Sequence, residues 1–329
     1  MSAVLKSEAR MIDHPMIGRA PAYLDAIELA ERWARTDHPI MLIGATGTGK
    51  ELLAKRIHRI SSRQGQLVPV NCASLRPELA HGMLFGHRRG AFTGAVDHGL
   101  GYYRQADGGT LFLDELTSLP QESQATLLRV VETGEIQPLG GFRILHADVR
   151  LVSAVHEDIE QRVAAGELRD DLYQRLAIGV VRLPPLRERQ EDIPILASWF
   201  ASRRGRTLSA AAQEVLLKNH WPGNVRELRA VIEGACVLAD GAELDARHIQ
   251  AMLLARGGVD SQIPGPAAPQ AQELELRRRV VAACRAAGGN ITEAAARIGT
   301  TRSTIYRWLQ KWGLSAAEFR REGRVGRRA

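Results

Sequence analysis

Short apolar runs alternate with amphipathic stretches through the first half of the chain. Ile40-Met41-Leu42-Ile43, Leu67-Val68-Pro69-Val70-Asn71, Thr110-Leu111-Phe112-Leu113, residues 149–154 and residues 178–183 read as five strands. Helical periodicity fills residues 22–35 and continues after the first strand to about residue 60. Strands too apolar for a half-exposed sheet, separated by helices, predict an α/β fold with a doubly wound parallel sheet. After Pro184-Pro185 the pattern turns helical, over residues 192–203, 209–219, 224–238 and 245–254. Residues 257–271 are rich in Pro and Gly and read as a linker. Beyond it, residues 274–287, 291–298 and 302–312 form three helical patterns. The expected organisation is a lead-in (1–16), an α/β subdomain (17–186), a helical lid (187–256), the linker, a helix-turn-helix domain (272–318) and a basic tail (319–329).

Composition adds one asymmetry. The 329 residues carry a net charge of +7, with 45% hydrophobic and 25% charged residues, as in ordinary globular proteins. From Leu276 onward there are twelve Arg and one Lys against three Glu, about +10, which leaves roughly −3 for the rest. A near-neutral body with a strongly basic end points to nucleic acid, although a solvated Arg-rich end has the same composition. Cys72, Cys236 and Cys284 fit no metal or redox spacing and read as buried thiols. The sequence has neither a signal-peptide core nor a run of about 18 apolar residues, so the reading is cytoplasmic.

The first strand runs into Gly44-Ala45-Thr46-Gly47-Thr48-Gly49-Lys50-Glu51, and a helix follows. Glycines let backbone N–H groups converge on phosphate oxygens, the helix start adds partial positive charge, and Lys50 reaches the outer phosphates. Glu51 stands where this motif ordinarily has a Ser or Thr hydroxyl for Mg²⁺. The third strand ends in Asp114-Glu115. Beside a phosphate loop, Asp114 is expected to hold Mg²⁺, directly or through water, and Glu115 to polarise the attacking water. The bland alternatives are a Gly-rich strand-to-helix turn and a strand-end cap; together the two motifs favour a P-loop ATPase binding ATP. Between them, Gly90-Ala91-Phe92-Thr93-Gly94-Ala95 follows a basic shoulder and reads physically as a mobile surface tip with one exposed aromatic.

That hexapeptide resembles the loop of bacterial enhancer-binding proteins, the AAA+ ATPases that activate sigma-54 RNA polymerase. The resemblance covers about residues 17–255 and resumes in the C-terminal helices. Val70-Asn71-Cys72-Ala73, residues 183–189 and residues 221–228 carry it too, and Glu51 is typical of that family. It implies that Phe92 and Thr93 touch the sigma factor of the holoenzyme and that Asn71 couples Glu115 to this loop. Residues 135–146 would form a second hairpin beside it. Arg169 and Arg175, on one helix, would reach a neighbour's site, although pairing of Arg175 with Asp171 remains open. Arg226 would sense the γ-phosphate, and the assembly would be a homo-oligomeric ring, a hexamer.

Two departures from the resemblance stand out. Val155-His156 replaces a usual Thr-Asn, and Ala45 replaces a frequent Glu.

The C-terminal patterns, broken by Gly288-Gly289-Asn290 and Gly299-Thr300-Thr301, give a helix-turn-helix layout and resemble the Fis-type domain of the same proteins. Thr301, Arg302, Thr304, Tyr306 and Arg307 are expected to face double-stranded DNA, over a core of Ala295, Ile298, Ile305 and Leu309. The alternative is a three-helix protein-binding module. Only about 16 residues precede the ATPase, so control is expected from a partner protein acting in trans. The competing classes are a DNA-binding repressor or passive mixed-ring subunit of the same fold, and a remodelling ATPase acting on DNA junctions or unfolded proteins.

Overall fold

The computed structural model describes residues 16–91, 95–256, 277, 280–285, 287, 289–298, 300, 302–312, 314 and 319. The chain divides into two compact units, residues 1–259 and 260–329.

In the first unit, α1 (Pro21–Ala34), β1 (Ile40–Ile43), α2 (Lys50–Ile60), β2 (Leu67–Asn71), α3 (Pro77–Phe85), α4 (Tyr102–Gln105), β3 (Thr110–Asp114) and α5 (Gln121–Thr133) follow in order. A two-residue antiparallel pair comes next, β4 (Glu135–Ile136) with β5 (Leu145–His146). Then come β6 (Arg150–Val155), α6 (Ile159–Ala164), α7 (Asp170–Leu176) and β7 (Gly179–Arg182). The five long strands form one parallel sheet, β2-β3-β6-β1-β7.

Strand alternation explains its two covered faces. Ile40, Leu42, Phe112, Val152 and Ala154 pack with α1 and α2 through Ala26, Ala30, Leu53 and Ile57. Met41, Ile43, Leu111, Leu113 and Val155 face the other way, against Leu84, Phe85, Leu127, Leu172 and Leu176. Pro69 sits on β2, an edge strand, where a missing ladder donor is tolerated.

Four helices then form the lid: α8 (Ile193–Ser202), α9 (Ala210–Lys218), α10 (Asn224–Leu238) and α11 (Ala246–Ala255). A two-residue parallel pair, β8 (Thr207–Leu208) with β9 (Glu243–Leu244), clips them together. On α10, Leu228, Val231, Ile232 and Ala235 recur at helical spacing and meet Leu216, Trp221, Ile249 and Leu253. Ser209 caps α9 by accepting from Ala212 N, and Asp245 with His248 forms a capping box on α11.

In the second unit, α12 (Ile291–Ile298) and α13 (Arg302–Lys311) enclose a core of Val280, Cys284, Ile291, Ala294, Ala295, Ile305, Leu309 and Phe319. Asn290 opens α12, its side chain accepting from Thr292 N and Glu293 N at 3.1 and 3.4 Å. Phe319, expected at the start of the tail, is instead buried in this core. The side chain of Ile298 and residues 274–276 lie outside the described residues. Among the described residues no helix is long and apolar enough to cross a membrane. Cys72, Cys236 and Cys284 are buried free thiols.

Candidate active site

Both sequence motifs reach the same place because parallel strands deliver their carboxyl ends to one edge of the sheet. There the strand order reverses around β1 and leaves a cleft of about 580 Å³. Thr46 to Leu52, Asp114, Glu115, Thr117, Ser118 and His156 line it from the sheet, and Leu196, Trp199, Val225 and Arg226 from the lid.

The phosphate loop is fixed from several sides. Gly44 N donates to Val155 O at 3.3 Å, and a Cβ on Gly44 would stand 2.9 Å from Leu183 O. Gly49, with φ +108, precedes α2 and lets the chain turn into the helix. Thr48 Oγ1 donates back to Ala45 O at 2.8 Å. Lys50 opens α2, and its Nζ donates to Gly44 O and Ala45 O at 2.6 and 3.1 Å. Burial pushes the Lys50 pKa down, against the opposing pull of Asp114. Glu51 pairs with Lys55 one turn along the helix, at 2.6 Å.

Asp114 ends β3, and its Oδ1 accepts from Glu115 N at 3.0 Å. Burial raises its pKa above the ordinary carboxylate range although Lys50 opposes this. Glu115 adopts a left-handed backbone, φ 54 and ψ 47, which turns the chain sharply at the strand end. Such a conformation costs a non-glycine residue about 1–2 kcal/mol and is found where geometry matters more than comfort.

Asn71 stands opposite Asp114 in the β2–β3 register, next to the acid pair. It does not hydrogen-bond Glu115, as the resemblance implied. Its Oδ1 accepts from Ala73 N at 2.9 Å and so caps the turn after β2.

Arg169 and Arg175 also depart from expectation. Arg169 is not on the helix but is the extended residue before α7, where it chelates Asp171 at 3.0 and 2.7 Å. Asp171 is therefore held by Arg169 rather than by Arg175, which is exposed. Neither arginine lines the cleft of its own chain.

Four residues that carry the cleft were not picked out from the sequence. Asn224, buried with φ 52, donates from Nδ2 to Thr46 O at 3.0 Å and accepts at Oδ1 from Leu186 N at 2.7 Å. Val225 N adds a bond to Gly47 O at 3.1 Å, so the start of α10 is tied to the phosphate loop. Arg189, also buried, donates from Nη2 to Thr48 O at 3.1 Å, with its guanidinium 4.5 Å over the Tyr23 ring. Burial lowers its pKa, and Tyr23 and Asp192 oppose that. Asp192 accepts from Arg19 N and Ala20 N at 2.7 and 3.1 Å, which holds the segment entering α1 under the cleft. Asn224, Val225 and Arg189 fall within the stretches that carry the resemblance, but the role of each depends on partners far away in the sequence.

Away from the cleft, Gly90 N donates to Ala95 O at 2.8 Å and closes the hexapeptide loop at its base. Ala91 belongs to that base; Phe92, Thr93 and Gly94 lie outside the described residues. The segment between β4 and β5 docks there: Leu139 N donates to Gly86 O at 2.9 Å and Arg88 N to Leu139 O at 3.0 Å. On α13, Arg302 is exposed and Thr304 half-buried. Thr301 and the side chains of Tyr306 and Arg307 lie outside the described residues.

A five-stranded parallel sheet with a phosphate loop, a strand-end acid pair and a helical lid tied to that loop defines a P-loop ATPase of the AAA+ class. Residues 16–182 match the Sigma-54 interaction domain, residues 187–263 the AAA+ ATPase lid domain and residues 276–317 a helix-turn-helix domain, and the chain belongs to the sigma-54 interaction family. It is 39% identical over 324 residues to the DNA-binding transcriptional activator HyfR of Escherichia coli K12, covering 92% of this chain and 48% of HyfR. It is 46% identical over 227 residues to the Psp operon transcriptional activator of the same organism, covering 66% of this chain and 70% of that one. NtrX from Brucella abortus, solved in complex with ATP, superposes with a TM-score of 0.70 at 31% identity, over 94% of this chain and 72% of NtrX. The chain thus spans about half the length of HyfR and more of the other two.

Proposed function

We propose that the chain is a DNA-binding activator that hydrolyses ATP to remodel the closed complex of sigma-54 RNA polymerase holoenzyme into an open one. The observation that carries this reading is the convergence of Lys50, Asp114 and Glu115 on one cleft whose opposite wall is a lid hydrogen-bonded to the phosphate loop. The triphosphate lies along the backbone of residues 44–51, and Lys50 leaves its two carbonyls for the phosphates. Asp114 suits Mg²⁺: a partly buried hard-oxygen donor with a raised pKa has an uncompensated charge for a cation to neutralise. A Mg²⁺ held by Asp114 would supply electrostatic neutralisation of the phosphate oxygens.

Glu115 orients the water that attacks the γ-phosphorus and takes its proton as the bond to ADP breaks. Arg226 reaches the outer phosphate from the lid. Arg169 and Arg175, exposed and outside their own cleft, act on the neighbouring subunit's phosphate in a hexameric ring. Asn71, in register with Asp114, couples the acid pair to the loop Gly90-Ala91-Phe92-Thr93-Gly94-Ala95, which touches the sigma factor. Thr301, Arg302, Thr304, Tyr306 and Arg307 read an upstream DNA site in the cytoplasm.

The test is ATP-dependent open-complex formation with purified chain, sigma-54 holoenzyme and a supercoiled sigma-54 promoter. The wild type is expected to open it, and Thr93→Ala to abolish opening while retaining ATPase activity. Nucleotide binding without any opening by the wild type would refute the activator reading in favour of a repressor or passive ring subunit.

A further inference from the structure

Every backbone carbonyl from Gly44 to Gly49 accepts a hydrogen bond, and the donors come from two places. Lys50 Nζ donates to Gly44 O and Ala45 O, and Leu53 N to Gly49 O, so the ends of the loop are held by its own helix. The middle three carbonyls are held from outside. Asn224 Nδ2 donates to Thr46 O, Val225 N to Gly47 O and Arg189 Nη2 to Thr48 O, at 3.0, 3.1 and 3.1 Å. Asn224 and Val225 open α10, and Arg189 lies in the connection from β7 to α8. The contact is close: a Cβ on Gly47 would stand 2.4 Å from Gly223 O.

A planar trans peptide points its C=O and the next N–H in opposite directions. Three carbonyls turned toward these donors therefore turn the amides of Gly47, Thr48 and Gly49 away from them. Gly47 N and Gly49 N donate to no group among the described residues. Successive amides free on one side of a loop make a concave nest for an anion. While the nest is empty their positive ends repel one another, and Gly47 at φ +81 and Gly49 at φ +108 give the peptides freedom to flip. A flip of any of the three peptides breaks a hydrogen bond to an outside donor.

Arg189 makes its bond at a cost. The residue is 2% exposed, its guanidinium lies 4.5 Å over the Tyr23 ring, and its Nε has no hydrogen-bond partner among the described residues. An enclosed cation is unfavourable unless it is well paired. The bond to Thr48 O is what an apolar side chain in the same place could not supply.

We propose that Arg189 and Asn224 are positioning residues that hold the phosphate loop in its anion-binding form before nucleotide arrives, gripping Thr48 O and Thr46 O so that the Gly47, Thr48 and Gly49 amides face the phosphates. This rests on the ATPase reading above. Affinity for the phosphate chain then depends on side chains whose own partners are carbonyls, and the connection into the lid is part of the phosphate site.

The experiment measures dissociation constants of the full chain for ADP, a non-hydrolysable ATP analogue and adenosine, by competition against a fluorescent ADP derivative. Arg189→Met keeps an unbranched side chain beside Tyr23 and removes the donor. It is expected to weaken ADP and the analogue about tenfold or more, the size of one hydrogen bond to a charged group, and to leave adenosine within about twofold. Arg189→Lys, which retains a charged donor, should recover part of the loss. Asn224→Gly changes no charge, accepts the left-handed backbone and should show the same split between phosphorylated and unphosphorylated ligands; it carries the test if Arg189→Met does not fold.

Equal weakening of all three ligands would make these residues merely structural and overturn the proposal, as would unchanged affinity for ADP. A split in Arg189→Met without one in Asn224→Gly would assign the effect to charge alone and overturn it too. Each of these leaves the ATPase reading intact. A wild type that binds neither ADP nor the analogue would overturn both.

Discussion

Asn224 is the most informative single position in the first unit, because it combines a strained backbone with a two-sided tether. Its φ of 52 is a left-handed conformation that Asn tolerates and most residues do not. Its side chain joins Thr46 O of the phosphate loop to Leu186 N at the entry to the lid. Asn224→Ala leaves Leu186 N without its partner, at about 1–3 kcal/mol, and removes a bond to Thr46 O worth about 0.5–1.5 kcal/mol. The left-handed alanine adds about 1–2 kcal/mol, for a total of about 3–6 kcal/mol. For a unit of this size each kcal/mol shifts Tm by about 2–4 °C, so the loss is on the order of 10 °C.

Asn224→Gly separates the terms: it accepts the backbone freely and should lose only the hydrogen-bond share. Asn224→Asp keeps the acceptor for Leu186 N but sets a carboxylate oxygen against Thr46 O, and should fall between them in stability while weakening nucleotide binding. Thermal unfolding of the three variants with and without nucleotide provides the assay. Equal Tm for the Ala and Gly variants would refute the backbone argument, and an Ala shift below about 3 °C would refute the tether.

Two further predictions concern the cleft. Because burial holds the Asp114 carboxyl above its unfolded pKa, its charged form costs the folded state stability above that folded pKa, and the cost disappears as pH falls through it. Asp114→Asn should therefore raise the Tm of nucleotide-free protein at pH 7, with a margin that shrinks toward about pH 4; an equal or lower Tm at pH 7 would contradict this. For the neighbour's arginines, Arg175→Ala and Lys50→Ala chains should each have ATPase activity at least tenfold below wild type. Mixing them should restore a measurable fraction, since a Lys50→Ala subunit still supplies its arginines to an intact site; no recovery on mixing would refute action in trans.

Much of the α/β half was legible because each motif is local. The phosphate loop is contiguous, Asp114-Glu115 is contiguous, and strands covered on both faces advertise themselves as unbroken apolar runs. Where ends were expected from the pattern and the residues are described, they fell within a residue or two of the observed ones. The features that escaped depend on distant partners. Arg189 looks like one charge in a polar run until Tyr23 and Thr48 enclose it, and Asn224 looks like a helix start until its amide is seen spanning residues 46 and 186. Arg169 read as helical because its neighbours are, yet its ψ of 134 puts it before the first turn, where Asp171 captures it. Asn71 also caps the turn after its own strand, its Oδ1 accepting from Ala73 N, a local role the resemblance did not foretell.

The docking of Leu139 against the base of the hexapeptide loop bears on how such loops can be exchanged. His87 bridges Gly99 on one side and Leu139 on the other, so the loop's stalk is a three-stranded ladder in miniature, and its third rail comes from a segment some fifty residues along the chain. Gly140 completes the joint: a side chain there would bring a Cβ within 3.2 Å of the Ala91 Cβ. Grafting residues 86–99 alone into a relative would leave the Gly86 carbonyl and the Arg88 amide without the Leu139 partners they have here. The two segments form one structural unit, and a chimera that transplants both should keep the stalk's hydrogen bonds.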